Sequence, residues 1–212
     1  MKTRLTAGLV IIATVLLGCT TGGGTGTATP PESAGPPADA SPTAPAFDQA
    51  FIDMMVPHHQ SATEMAKLAQ ERAEHEELGT LAGEIITAQE SEIEQMKRWR
   101  TEWFGSADTP PMEAMPVLPG VEMPGMPDHG MDTTTMDMTA DIEILRDADP
   151  FDLAFLDAMM VHHQSAIDAA NIALGETERP EIRSLAEDIV ASQQAELEQM
   201  EAWRTEWYPE AS

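Results

Sequence analysis

The 212-residue sequence predicts an all-α fold, an antiparallel four-helix bundle built from two duplicated helical hairpins, on three observations. Residues 47–103 align with residues 151–207 at an offset of 104 positions without a gap, and roughly half the positions are identical, where chance would leave only a few. Within each copy, apolar residues recur at alternating steps of three and four, the spacing of a buried helical seam. One copy alone, about 57 residues, is too small to close its apolar faces, so the economical solution packs two copies together about a pseudo-two-fold axis.

The chain opens with Lys2 and Arg4 before an apolar run at residues 5–17, which is short for a membrane span but suits a signal-peptide core. The run ends Leu16-Leu17-Gly18-Cys19, which resembles the bacterial lipoprotein signal, with residues 1–18 removed and Cys19 becoming the lipidated first residue. Cys19 is the one cysteine, so an intramolecular disulfide and any multi-thiolate metal site are excluded. Residues 19–46 then read as a flexible tether of Thr, Gly, Ser, Ala and Pro. Its glycine run lacks the strand and the Lys-Ser/Thr helix start of a phosphate loop.

In the first hairpin, residues 47–104, one seam runs through Phe51, Met55, His58, Ala62, Met65 and Ala69. The next runs through Leu78, Ala82, Ile85, Gln89, Glu92, Met96, Trp99 and Trp103. In the second hairpin, residues 151–208, Gly175 suits a helix end and Pro180 the first turn of the next helix. Between them, residues 105–150 form a Met- and Pro-rich crossover with a short helix near Ile142 and Leu145. Seven of the fifteen methionines lie there, Met112, Met115, Met123, Met126, Met131, Met136 and Met138, together with His129. Such large apolar residues are unusual in a loop, and flexible thioether and imidazole ligands there could capture Cu(I) and pass it to the bundle. The paired tryptophans read as packing anchors near the bundle end, and the remaining acidic residues as a solvated face.

The charge bounds the partners. Removal of Lys2 and Arg4 leaves 9 basic residues against 37 acidic, a net charge of −28, which excludes nucleic acid and leaves lipid on Cys19 as the membrane attachment.

Candidate chemistry centres on His58-His59 and His162-His163. Neighbouring helical residues point about 100° apart, so one ring of each pair faces its hairpin partner and the other an adjacent helix. Met55, Met159 and Met160 each lie three residues before a histidine, one turn away on the same side. A turn near residues 73–76 brings Gln89, Glu92 and Met96 level with His58, and Gln193, Glu196 and Met200 repeat them. Imidazole and thioether donors without a thiolate favour copper, Cu(I) over Cu(II), above zinc or hard cations. Each feature also has a plain packing reading, histidines satisfied by Gln or Glu and methionines as core filler.

The string Phe51-Ile52-Asp53-Met54-Met55-Val56-Pro57-His58-His59-Gln60-Ser61-Ala62, followed by Ile85-Ile86, Gln89, Glu92-Ile93, Met96 and Trp99, resembles the bacterial family catalogued as domain of unknown function 305, in both copies. The resemblance implies a ferritin-like bundle that is secreted or envelope-anchored, similar to periplasmic copper-binding proteins linked to copper resistance. It carries metal binding over to His58, His59, His162 and His163 and to Met55, Met159, Met96 and Met200. The second copy departs at Val161 and Arg179, where the first has Pro57 and His75.

Three functions compete. The first is copper buffering, sequestration or resistance at the outer face of the membrane, without turnover, alongside copper-handling envelope proteins. The second is a ferritin-like oxidase of Cu(I) or Fe(II), and the third a metal-free envelope interaction module. Against the oxidase, the positions three before the histidines are Met55, Val56, Met159 and Met160, where di-iron bundles use Glu.

Overall fold

The computed structural model describes residues 44–118, 135–136 and 138–211. The signal segment, Cys19, the tether up to residue 43, and Met123, Met126, His129 and Met131 lie outside the described residues. Helix α1 (Ala44–Arg72) turns at residues 73–75 into α2 (Glu76–Phe104), and α4 (Phe151–Glu176) turns at 177–179 into α5 (Pro180–Trp207). Between the hairpins stand two two-residue strands, β1 (Met115–Pro116) and β2 (Thr135–Met136), paired antiparallel, and a short helix α3 (Ala140–Asp147). Among the described residues no helix is long and apolar enough to cross a membrane.

The hydrophobic pattern explains which helices lie inside. Along α1 and α4 apolar residues occupy most of the circumference, and both helices are buried at successive positions such as Phe51, Ile52, Met54, Met55 and Val56. They form the central pair. Helices α2 and α5 carry a single apolar stripe, Leu78, Leu81, Ala82 and Ile85 in one and Ile182, Leu185, Ala186 and Ile189 in the other. Each packs against its hairpin partner.

Two apolar clusters divide the core lengthwise. One joins the start of α1 to the later half of α4, so these helices are antiparallel; the other joins the later half of α1 to the start of α4. The long connection therefore travels the length of the bundle, the ferritin-like arrangement of two hairpins with one long crossover.

Helix ends follow local chemistry. Gly105 adopts φ 85°, a left-handed conformation that its missing Cβ permits, and its N–H returns to the Thr101 carbonyl. Pro180 occupies the first turn of α5, where its absent N–H costs nothing. Gly175, expected to end α4, sits inside it; the helix continues to Glu176 because Thr177 supplies the stop, its N–H bonding Ala173 and its hydroxyl donating to Asp48. The Arg72 guanidinium donates to the carbonyls of Leu145, Arg146 and Ala148, serving the acceptors at the end of α3.

Three of the crossover methionines pack into the bundle. Met115 and Met138 are buried in the first apolar cluster beside Met54 and Leu118, and Met112 packs against both clusters. Met115 and Met138 thereby add thioether area to the core, and Met112 is half-buried against it. Met136 pairs through its backbone with Met115, and its side chain lies outside the described residues.

The acidic residues also divide. Asp48 and Asp152 are buried rather than solvated, and each ties the far hairpin's turn. Asp152 on α4 accepts from the backbone N–H groups of Glu74 and His75 and from His75 Nδ1 at 2.7 Å. Asp48 on α1 accepts from the Thr177 hydroxyl at 2.6 Å and pairs with Arg179 at 3.1 Å. His75 stacks on Trp207 with ring centroids 3.7 Å apart, while Arg179 lies 4.0 Å above Trp103. The His75-to-Arg179 exchange thus preserves one role, a flat cationic or aromatic group between a carboxylate and a tryptophan.

Candidate metal centre

Between the two apolar clusters α1 and α4 cross at their histidines. The His58 and His162 rings lie against each other, tilted by 44° with centroids 3.8 Å apart, and His58 to His59 is 6.2 Å. All four are buried. Each pair divides its faces, as the 100° step between neighbouring helical residues requires: His58 and His162 meet across α1 and α4, while His59 and His163 face α2 and α5.

The hydrogen bonds fix proton positions. Ser165 donates its hydroxyl to the His162 carbonyl at 2.7 Å, so toward His58 Nε2, 2.8 Å away, Ser165 Oγ is the acceptor. His59 Nε2 lies 2.7 Å from Glu92 Oε2, and His163 Nε2 lies 2.5 Å from Glu196 Oε2. A carboxylate only accepts, so both imidazoles donate through Nε2. The Nδ1 atoms of His58, His59 and His163 have no hydrogen-bond partner among the described residues, nor does either nitrogen of His162. Gln89 and Gln193 are buried with unpartnered side-chain oxygens.

Burying so many polar atoms costs free energy unless something binds them. Burial is the main reason the His58 pKa falls well below its ordinary value, with the His162, His59 and His163 rings adding to it. Burial likewise lowers the His162 pKa, assisted by His163 and His59 and opposed by the His58 backbone. Both rings are therefore held neutral, the form in which imidazole binds metals.

The sulfur donors flank this layer. Met55 and Met96 are buried in one apolar cluster, Met159 and Met200 in the other, and Met160 is half-buried against the second. Met55 stands one turn before His58, and Met159 one turn before His162. Glu92 and Glu196, expected as ligands, each have Oε2 engaged by an imidazole N–H. Among the described residues no three His, Cys, Asp or Glu side chains form a ready cation cage, so a metal here would need imidazole together with thioether donors.

Sequence reasoning missed Ser165, Asp48 and Asp152. All three recur 104 positions away, as Ser61, Asp152 and Asp48, and that recurrence was the available signal.

The sequence profile described as domain of unknown function (DUF305) matches residues 48–208, through both hairpins and the crossover. The chain belongs to the DUF305 family. This DUF305 chain is similar to CopM, solved in the Cu(I)-bound form, at 40% identity over 76% of this chain and 97% of that one, with a TM-score of 0.59. CopM solved with Cu(II) bound is 38% identical over 76% and 98% of the two chains, again with a TM-score of 0.59. A DUF305 protein from Streptomyces coelicolor, described as secreted, is 26% identical over 77% and 94%, with a TM-score of 0.61. A search among curated proteins finds no match.

Proposed function

We propose that this DUF305 protein is an envelope-anchored copper-binding protein that buffers or sequesters the metal without turnover. The observation that carries this reading is the buried layer of four histidines in which three Nδ1 atoms and the whole His162 ring lack hydrogen-bond partners. Further support comes from a 40% identical relative that was solved holding Cu(I). The imidazoles of His58, His59, His162 and His163 would supply nitrogen, and Met55 and Met159, with Met160, Met96 and Met200 behind them, would supply sulfur. That soft donor set without thiolate favours Cu(I). Gln89 and Gln193 would offer oxygen from the outer helices.

Two tandem family copies would contribute equivalent halves of the layer. Cys19 would be lipidated and hold the bundle at the outer face of the membrane, where crossover ligands beyond those already packed, among them Met123, Met126, His129 and Met131, could collect the metal. Oxidase chemistry is disfavoured because Met or Val stands where a di-iron bundle needs Glu three residues before each histidine.

An anaerobic Cu(I) titration against a chromophoric chelator tests the reading. The soluble fragment beginning after the tether is compared with its variant carrying alanine at His58, His59, His162 and His163. Tight binding that falls in a still-helical variant supports it, and equally weak binding by both refutes it. Anchoring is tested separately by Cys19→Ala, which should move the protein from the membrane fraction to the soluble fraction.

A further inference from the structure

We infer that Glu92 and Glu196 are positioning residues that preset the tautomers of His59 and His163, holding the proton on Nε2 so that each Nδ1 is a lone pair inside the bundle. The inference rests on the copper reading for its purpose and on the geometry of this chain for its mechanism. Each glutamate lies on the outer helix of its hairpin and reaches the histidine 33 residues before it, at 2.7 Å and 2.5 Å. The histidine side chains are fully buried, while the glutamates remain about one-sixth exposed at 17% and 18%. A carboxylate can keep solvent contact on one oxygen and accept an imidazole proton on the other. Were the proton on Nδ1 instead, it would meet no acceptor, and a bare Nε2 would face a carboxylate lone pair, so two unfavourable contacts would replace one hydrogen bond.

Ser165 performs the same service for His58, accepting from its Nε2 while donating to the His162 carbonyl. The pseudo-symmetric counterpart fails for a visible reason. Ser61 stands 104 residues before Ser165, but its hydroxyl donates to the Met138 carbonyl of the crossover at 3.1 Å. Among the described residues His162 is the one ring of the four with no side-chain partner on either nitrogen, and only the His58 backbone acts on it. Three rings are preset with the lone pair on Nδ1, and the fourth lacks the serine acceptor because the crossover captures Ser61.

Imidazole nitrogen shifts in long-range proton–nitrogen spectra read tautomers in the metal-free protein labelled with ¹⁵N-histidine. The wild type should show His58, His59 and His163 protonated on Nε2 alone. Glu92→Gln and Glu196→Gln keep the side-chain shape but offer an amide that can donate or accept, so His59 and His163 respectively should become mixtures. Cu(I) affinity should fall by about tenfold or more in each variant, the range typical when the group orienting a ligand histidine is altered. An Nδ1-protonated His59 or His163 in the wild type, or variants whose tautomers do not change, would overturn the inference. Preset tautomers in a wild-type bundle that takes up no Cu(I) would sink the copper reading and the affinity half of this inference, leaving the hydrogen-bonding mechanism standing.

Discussion

Acid should destabilise the metal-free bundle through His58 and His162, and the slope follows from the structure. The His58 and His162 pKa values are lowered well below the unfolded value of 6.5, chiefly by burial. Below that pH the unfolded chain binds protons at both rings and the folded chain does not, so stability is complete above pH 6.5 and is lost as pH falls. Each ring contributes up to about 1.4 kcal/mol per pH unit, and the pair about 2.7 kcal/mol per unit. Between pH 6.5 and 5 the loss integrates to about 3 kcal/mol while the folded rings stay neutral, a large share of the roughly 5 to 15 kcal/mol that holds a domain together. The assay is guanidinium unfolding at half-unit pH steps, with chelator present, beside the His58→Gln, His162→Gln double variant. The many carboxylates titrate in both proteins, so the difference between the two curves isolates the histidines. Parallel curves for the two proteins would refute the claim that these rings are buried and neutral.

Three further outcomes are expected. Asp152→Ala, which strips the acceptor from two backbone N–H groups and from His75, should cost about 3 to 5 kcal/mol in the same unfolding assay at pH 7. A loss below about 1 kcal/mol would mean that water replaces the carboxylate there. Gly105→Ala should cost about 1 to 2 kcal/mol for its left-handed backbone alone, because the added methyl meets nothing within 4 Å, and a neutral result in urea melts would contradict the cap. Met138→Ala should cost about 2 to 5 kcal/mol as a core cavity, whereas an unchanged midpoint would return the crossover methionines to a loose arm.

The bundle and its polar layer were legible because helical periodicity and an offset of 104 are properties of the string itself. Phe51, Met55, His58, Ala62, Met65 and Ala69 share one seam, and all are buried. The partners of that layer were only half legible. Glu92 could be placed opposite the histidines from hairpin register, yet its role depends on which ring nitrogen it meets, and no spacing encodes that. Ser165 looked like one more conserved-by-duplication residue between His163 and the next turn. The crossover was least readable: Met115 and Met138 enter the core only because an aperiodic segment wraps α1, and nothing local distinguishes them from Met123. Asp48 and Asp152 are hidden for a related reason: among so many acidic residues they read as part of a solvated face, and only the other hairpin's turn gives each its buried partners.

Those two aspartates make each hairpin the completion of its neighbour. Because the turn of one half is finished by a side chain from the other, neither half contains the whole of its own connection. A chain cut once within the crossover should therefore stay assembled as a two-piece complex whose melting temperature rises with concentration. A single half made alone should be at best a loosely ordered hairpin, with a bare tryptophan at one end and an open histidine face along its length. Loading and folding would then share one seam, so a mutation that loosens the turns some distance from the histidines would be felt as weaker metal retention.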